Sequence, residues 1–380
     1  MMLAVVMATC LEGGCRSKSG WPLWESYVKS AYDKQGRIVD HSAGDRTTSE
    51  GQAYAMFFAL VANDKARFDS LLNWTQDNLA GGDLTQRLPA WNWGRSPEGS
   101  WKVLDANPAS DADLWMAYSL LEAGRLWHEP RYQQLGTAMV LRVERQEVVL
   151  VPTLGTTLLP GPDGFHPADG MWILNPSYLQ PSVLSYLATE FPDGPWRAML
   201  NSTPTVLTQG AAGGFAMDWL AAGSALSPAP GPGQGAAGDT GSNSGKPAGS
   251  YDAIRVYLWL GMADPETPGV KESLSGLGGM EEYLKSHSAP PRKVDGNGKV
   301  LEGDGPVGFS AAIVPYLQAL SMESQAKSQM ARVAGTYDPS RGLYGKDAVY
   351  YDQNLVLFAI GWTEERLRFD CEGRLKVKWQ

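Results

Sequence analysis

With four histidines and three cysteines in 380 residues, the chain has few groups to spare for a metal or a redox centre. Cys10, Cys15 and Cys371 form no C-x-x-C and no metal-ligand spacing. His41, His128, His166 and His287 are scattered and read as surface or loop residues. H-E-x-x-H, P-loop and G-x-S-x-G patterns are missing. Asp239 and Asp304 lie among glycines without the spacing of a calcium loop. No metal and no cofactor is therefore expected. Charge is scarce as well, at 19% of residues, and the net charge is −9. That argues against nucleic acid and anionic membrane surfaces, and suits a neutral or cationic substrate. No apolar run is long enough to span a bilayer. Met1 to Cys10 is apolar and uncharged, like the tail of a secretory signal whose basic region is missing. Residues 1–20 are read as leader. Cys15 and Cys371 flank the rest and would staple its ends in an oxidising compartment.

What the chain has in excess is tryptophan, 14 residues. Most belong to a core, but a few are expected to line a groove. The length permits two domains or one large α fold. Strand-like alternation is sparse, and the chain reads as all-α. Strongly apolar helices begin near Ser49, Ser110, Pro176, Ser250, Phe309 and Asp347, with more amphipathic ones between them. The first three starts are spaced by roughly 60 to 65 residues, about one αα-hairpin with long loops. Helices apolar nearly all round are buried, and amphipathic ones cover them. Six of each suggest a closed ring of αα-hairpins filling residues 21–380. A Gly/Ser/Pro-rich stretch at 231–249 reads as a surface insertion.

Such a ring has a consequence for chemistry. Its inner helices run parallel, so their N-termini emerge on one face. Glu50 lies in the first turn after Ser49, where Ser49 with Gln52, or Thr47 with Glu50, makes a capping box. Asp111 and Asp113 follow Ser110, with Ser110 and Asp113 as a further box, and Asp252 follows Ser250. These distant carboxylates would meet at one mouth. Glycoside hydrolysis needs such a set: one carboxyl protonates the leaving oxygen, and another takes a proton from water or attacks the sugar. A helix N-terminus favours the anion, so an acid at Glu50 needs burial or a carboxylate neighbour. By itself, Glu50 reads more readily as a helix cap than as an acid, since acidic residues are enriched in first turns.

Three segments resemble a known family. Ala109-Ser110-Asp111-Ala112-Asp113, continued by Met116 to Ala123 and Trp127, is similar to the signature of glycoside hydrolase family 8. Ser49-Glu50-Gly51-Gln52 resembles that family's general-acid segment, and Ser250-Tyr251-Asp252-Ala253-Ile254-Arg255 its general-base segment. Further stretches, Leu88 to Gly94, Asn175 to Leu179 and Gly305 to Ala312, resemble the branch associated with bacterial cellulose synthesis. The resemblance implies an (α/α)6 barrel, a toroid of six inner and six outer helices with long loops on the active-site face. It implies inverting, endo-acting hydrolysis of β-1,4-glucan, in the periplasm or secreted, beside the cellulose synthase complex; a monomer is the default expectation. It implies Glu50 as general acid, Asp252 as general base, and Asp111 positioning sugar and water. Tyr251, Arg255, Trp91, Trp93, Trp172, Tyr178 and Asp113 are the implied substrate contacts. A chitosanase or xylanase of the same family, or a non-catalytic glucan-binding accessory, is the alternative. The 231–249 insertion is longer than expected for such relatives and stands just before the base segment.

Overall fold

The computed structural model describes residues 20–232 and 245–380. The leader, Cys15 with its expected link to the exposed Cys371, and most of the Gly/Ser-rich insertion lie outside these residues.

Burial divides the helices into two sets. α2 (Ser49–Val61) and α8 (Ala253–Met262) are buried at every position. α4 (Ser110–Leu126) is buried except at Arg125. α6 (Pro181–Glu190), α11 (Val307–Ala319) and α13 (Tyr350–Thr363) are buried over most of their length. Helices without a polar face must be enclosed by others. The enclosing set buries one stripe each: α1 (Pro22–Ala31), α3 (Lys65–Leu79), α5 (Pro130–Gln146), α7 (Trp196–Gln209) and α12 (Glu323–Ala334). The short α9 (Val270–Gly276) and α10 (Gly278–Leu284) stand for the remaining outer helix.

Each inner helix packs on its outer partner and on the next inner helix: α2 on α3 and α4, α4 on α5, α6 on α7, α8 on α11, and α11 on α12 and α13. The ring closes where Phe358 of α13 meets Tyr54, Phe57 and Phe58 of α2. The sixth inner helix, α13, takes its outer cover from α1. The architecture is an (α/α)6 barrel. Its axis is filled by aromatic rings. Phe57 lies 4.8 Å from Trp115, Trp115 5.3 Å from Trp259, and Trp259 5.0 Å from Phe358, centroid to centroid. These contacts link α2, α4, α8 and α13 in the dry interior. α8 and α11 approach so closely that a Cβ at Gly261 would overlap the Tyr316 backbone.

The short strands lie in the connections. β1 (Thr47–Thr48), β2 (Asn92–Arg95) and β3 (Trp101–Asp105) form an antiparallel sheet with Thr47 opposite Trp93. β4 (Val148–Val151) and β5 (Gly155–Leu158) make a hairpin, and β6 (Trp172–Leu174) pairs with β7 (Leu220–Ala222).

Three local expectations are corrected. Thr48, not Thr47 or Ser49, caps α2, accepting from the Gly51 N–H at 3.1 Å. Ser49 donates its N–H to the Trp91 carbonyl, and the Gln52 amide bonds Ile38, Gly36 and Thr75 instead of closing a box. The Ser110–Asp113 box is likewise unmade, because the Ser110 hydroxyl donates to the Leu159 carbonyl at 2.6 Å. Asn175 to Tyr178 is a short 3₁₀ turn ahead of α6 and not its first turn. The outer cover after α8 is split in two at Leu277, between α9 and α10, where Gly279 donates to the Gly214 carbonyl of a neighbouring loop.

Candidate active site

The first turns of α2, α4 and α8 converge on one side chain, Arg255. It sits one turn into α8 and is only 1% exposed. One amino group, Nη1, donates to Glu50 Oε2 and, at 3.2 Å, to Asp111 Oδ2. It also reaches the Tyr54 hydroxyl at 3.4 Å. The other, Nη2, donates to Asp252 Oδ1 at 2.7 Å and to the Ser177 Oγ at 2.9 Å. The guanidinium lies over the Tyr178 ring, 5.6 Å from its centroid. Residues 50, 111 and 252 are thus gathered by one cation.

Two of the partners, Ser177 and Asp252, are fixed from behind. Asn175 Oδ1 accepts from the N–H and hydroxyl of Ser177, and the Ser177 carbonyl accepts from Trp259 Nε1 at 3.0 Å. Asp252 occupies the N-cap position of α8, but its side chain makes no cap. The capping falls to Asp218. Its Oδ1 accepts from the N–H groups of Ser250, Asp252 and Ala253, at 2.8, 3.1 and 2.8 Å. The Asp252 carboxyl is thereby released towards Arg255. The Asp218 N–H donates to Ala248, and Ala248–Gly249 pairs with Lys293–Asp295, so the end of the insertion is tied down just before α8.

One guanidinium cannot neutralise three carboxylates. If all three were ionised the cluster would carry a net charge of two negatives out of water, so the free site retains protons. Burial pushes the Asp111 carboxyl up to about 7, with Arg255 opposing and Glu50 adding to the rise. Burial also raises Asp252 well above the usual carboxylate range, against the pull of Arg255, with Asp218, Glu50 and Asp111 adding to it. The Asp252 side chain keeps 15% of its surface exposed, the most of the three, so water tempers that rise.

The other residues expected at the site are distributed around this centre. Tyr251 is half-buried between Phe309 and Tyr351, and its carbonyl accepts from the Tyr351 hydroxyl. Trp91 is buried, its backbone bonding Ser49 and Asn107. Trp93 stacks on Trp101 at 5.0 Å, and the Arg37 guanidinium lies 4.9 and 5.1 Å from the two rings. Trp101 leaves 44% of its surface open. Trp172 is half-buried and stacks with His166 at 5.0 Å. Asp113 does not join the cluster. Two residues after Asp111 on a helix it points about 200° away, and it lies fully buried against Glu147. Among the described residues no His, Cys, Asp or Glu group is arranged to hold a metal. Sequence reasoning missed Asp218, Ser177, Tyr54 and Trp101 as parts of this region. Two had a signal: Tyr54, one turn after Glu50 on the same face, and Ser177, inside the Asn175 to Leu179 stretch.

The chain is similar to known proteins in sequence and in fold. An endoglucanase of Xanthomonas axonopodis pv. citri is 44% identical over 95% of this chain and 90% of its own length. An endoglucanase of Escherichia coli O157:H7 is 44% identical over 94% and 91%. The crystal structure of an endo-1,4-D-glucanase from Vibrio fischeri ES114 superposes with a TM-score of 0.81 at 38% identity, covering 94% of this chain and 99% of that one. Residues 2–365 match the family described as Glycosyl hydrolases family 8. With the barrel, the carboxylates at its mouth and this match in hand, the chain belongs to glycosyl hydrolase family 8.

Proposed function

We propose that the protein is an endo-acting, inverting hydrolase of β-1,4-glucan. The observation that carries this reading is the Arg255 hub, which holds Glu50, Asp111 and Asp252 at one mouth. Similarity to endoglucanases over nearly the whole chain supports the choice of glucan. Glu50 gives its proton to the glycosidic oxygen as the bond from C1 breaks. Asp252 takes a proton from a water that adds to C1 from the opposite face. The new hemiacetal has the inverted configuration, and the protons return through solvent. Asp111 holds the sugar and orients the water. Arg255 keeps the three carboxyls in register. Tyr251, Tyr178, Trp91, Trp93 and Trp172 are the proposed walls and platforms. Periplasmic or secreted location and work beside a cellulose synthase rest on resemblance, and cell fractionation tests the first.

Hydrolysis of carboxymethylcellulose followed by NMR of the released anomers is the deciding experiment. The α-anomer should appear first. Initial release of the β-anomer, or turnover of chitosan or xylan and not glucan, would overturn the corresponding part of the reading.

A further inference from the structure

Behind the Arg255 hub lies a second pair of acids. Asp113 is in the first turn of α4, and Glu147 is the residue that ends α5. The two helices form an antiparallel hairpin, so the start of one meets the end of the other. The junction is stitched by the segment after β5. Leu159 donates its N–H to the Glu147 carbonyl at 2.7 Å and accepts from the Ser110 hydroxyl at 2.6 Å, while the Ser110 N–H donates to Pro160 at 3.0 Å. Both side chains are completely buried. The two carboxyl groups interact with each other, and none of their four buried oxygens has an N–H or hydroxyl donor. Two carboxylates cannot make such a contact, so one carboxyl must be protonated.

The helix ends say which. The N-terminus of α4 carries partial positive charge and favours an anion at Asp113, whereas the C-terminus of α5 disfavours one at Glu147. We propose that Glu147 keeps a proton and donates it in a hydrogen bond to the Asp113 carboxylate. The pair, bearing one negative charge, then acts as a positioning device that sets the protonation of Asp111. Asp111 is the bridge, two residues from Asp113 and within reach of Arg255. Burial foremost raises both members of the pair, and the charge of Asp111 raises each further. The same repulsion must act back on Asp111.

Nothing on the surrounding elements cancels that charge. On α5, Arg142 turns to the Thr85 carbonyl, Arg145 is exposed and Glu144 is half-buried. β4 and β5 carry no titratable side chain. Tyr186 of α6 faces Glu122. Glu50 of α2 and Arg255 of α8 act on Asp111 itself.

The proposal rests on the hydrolase reading only for its kinetic readout, so two measurements separate them. Infrared difference spectra of wild type against Glu147→Gln, at mildly alkaline pH, should show a protonated-carboxyl band that the variant lacks. This holds whether or not glucan is cut. In the pH profile of hydrolysis, Glu147→Gln keeps both the hydrogen bond and the charge, so the acid limb stays in place. Asp113→Asn removes the charge and should move that limb about one unit lower. Persistence of the band in a folded Glu147→Gln protein overturns the proposal. So does an equal displacement of the limb by both substitutions. Should Asp113→Asn fail to fold, a Glu147→Gln acid limb displaced by about one unit overturns it alone.

Discussion

Arg255 shows what a single buried cation does among three acids. Its guanidinium spans Asp252 on one amino group, and Glu50 with Asp111 on the other. An arginine fork can do this because its donors are fixed in a plane; a lysine presents one point charge. Arg255→Lys should therefore fold but lose about 10²-fold or more in kcat, as expected when a positioning group is misplaced. Arg255→Met leaves three buried carboxyls without a counter-ion and should cost about 3–5 kcal/mol in denaturant unfolding. Glu50→Gln should keep the fold and lower kcat by about 10²–10⁴, the usual contribution of a positioned proton donor. Full residual activity in that variant would remove Glu50 from the chemistry. Much at this scale was legible in advance. Glu50, Asp111, Asp252 and Arg255 each sit at a helix start marked by sequence, and such starts converge once the ring is accepted. Asp113 shows the limit. Nothing in a two-residue spacing tells which acid faces the cleft and which faces Glu147, 34 positions later in another helix.

Among the elements, α8 depends on a residue outside it. The N–H groups of Ser250, Asp252 and Ala253, at and just before its start, are taken by Asp218, which frees Asp252 from the capping duty its position would otherwise impose. Asp218→Ala should cost about 2 kcal/mol, the upper range for loss of a cap. It should also depress kcat more than KM, because Asp252 would turn back to its own helix. A kcat unchanged alongside a lowered midpoint would confine Asp218 to stability. This arrangement was invisible in sequence, since Met217-Asp218-Trp219 carries no periodicity or motif. The inner helices were legible because burial on all sides leaves a long apolar run. Their caps were not, because Ser49, Ser110 and Gln52 bond to strands and turns that only the closed ring brings near.

Across the whole molecule, the buried acids couple folding to pH. Asp111 is pushed up to about 7 and Asp352 to about 6, in both cases chiefly by burial. A carboxyl raised in the folded state binds more protons folded than unfolded, so stability falls as pH rises from the unfolded value towards the folded one. Thermal midpoints should therefore decline between about pH 4 and 7. Asp111→Asn and Asp352→Asn should each flatten that decline. An unaltered slope in both variants would show that the acids titrate normally. At the acid end, the half-buried Asp338, held to about 2 by bonds from Ser340 and Arg341, contributes stability that is lost as pH falls below 4.

The rings of Tyr54, Phe57, Trp115, Trp259 and Phe358 make the barrel a cup with a solid floor. A polymer cannot be threaded down such an axis. Laid over the rim, it would have both of its tails free to run on into solvent. A stretch in the middle of a long strand then fits as readily as a terminus, and cuts made there shorten the polymer quickly while freeing few small sugars.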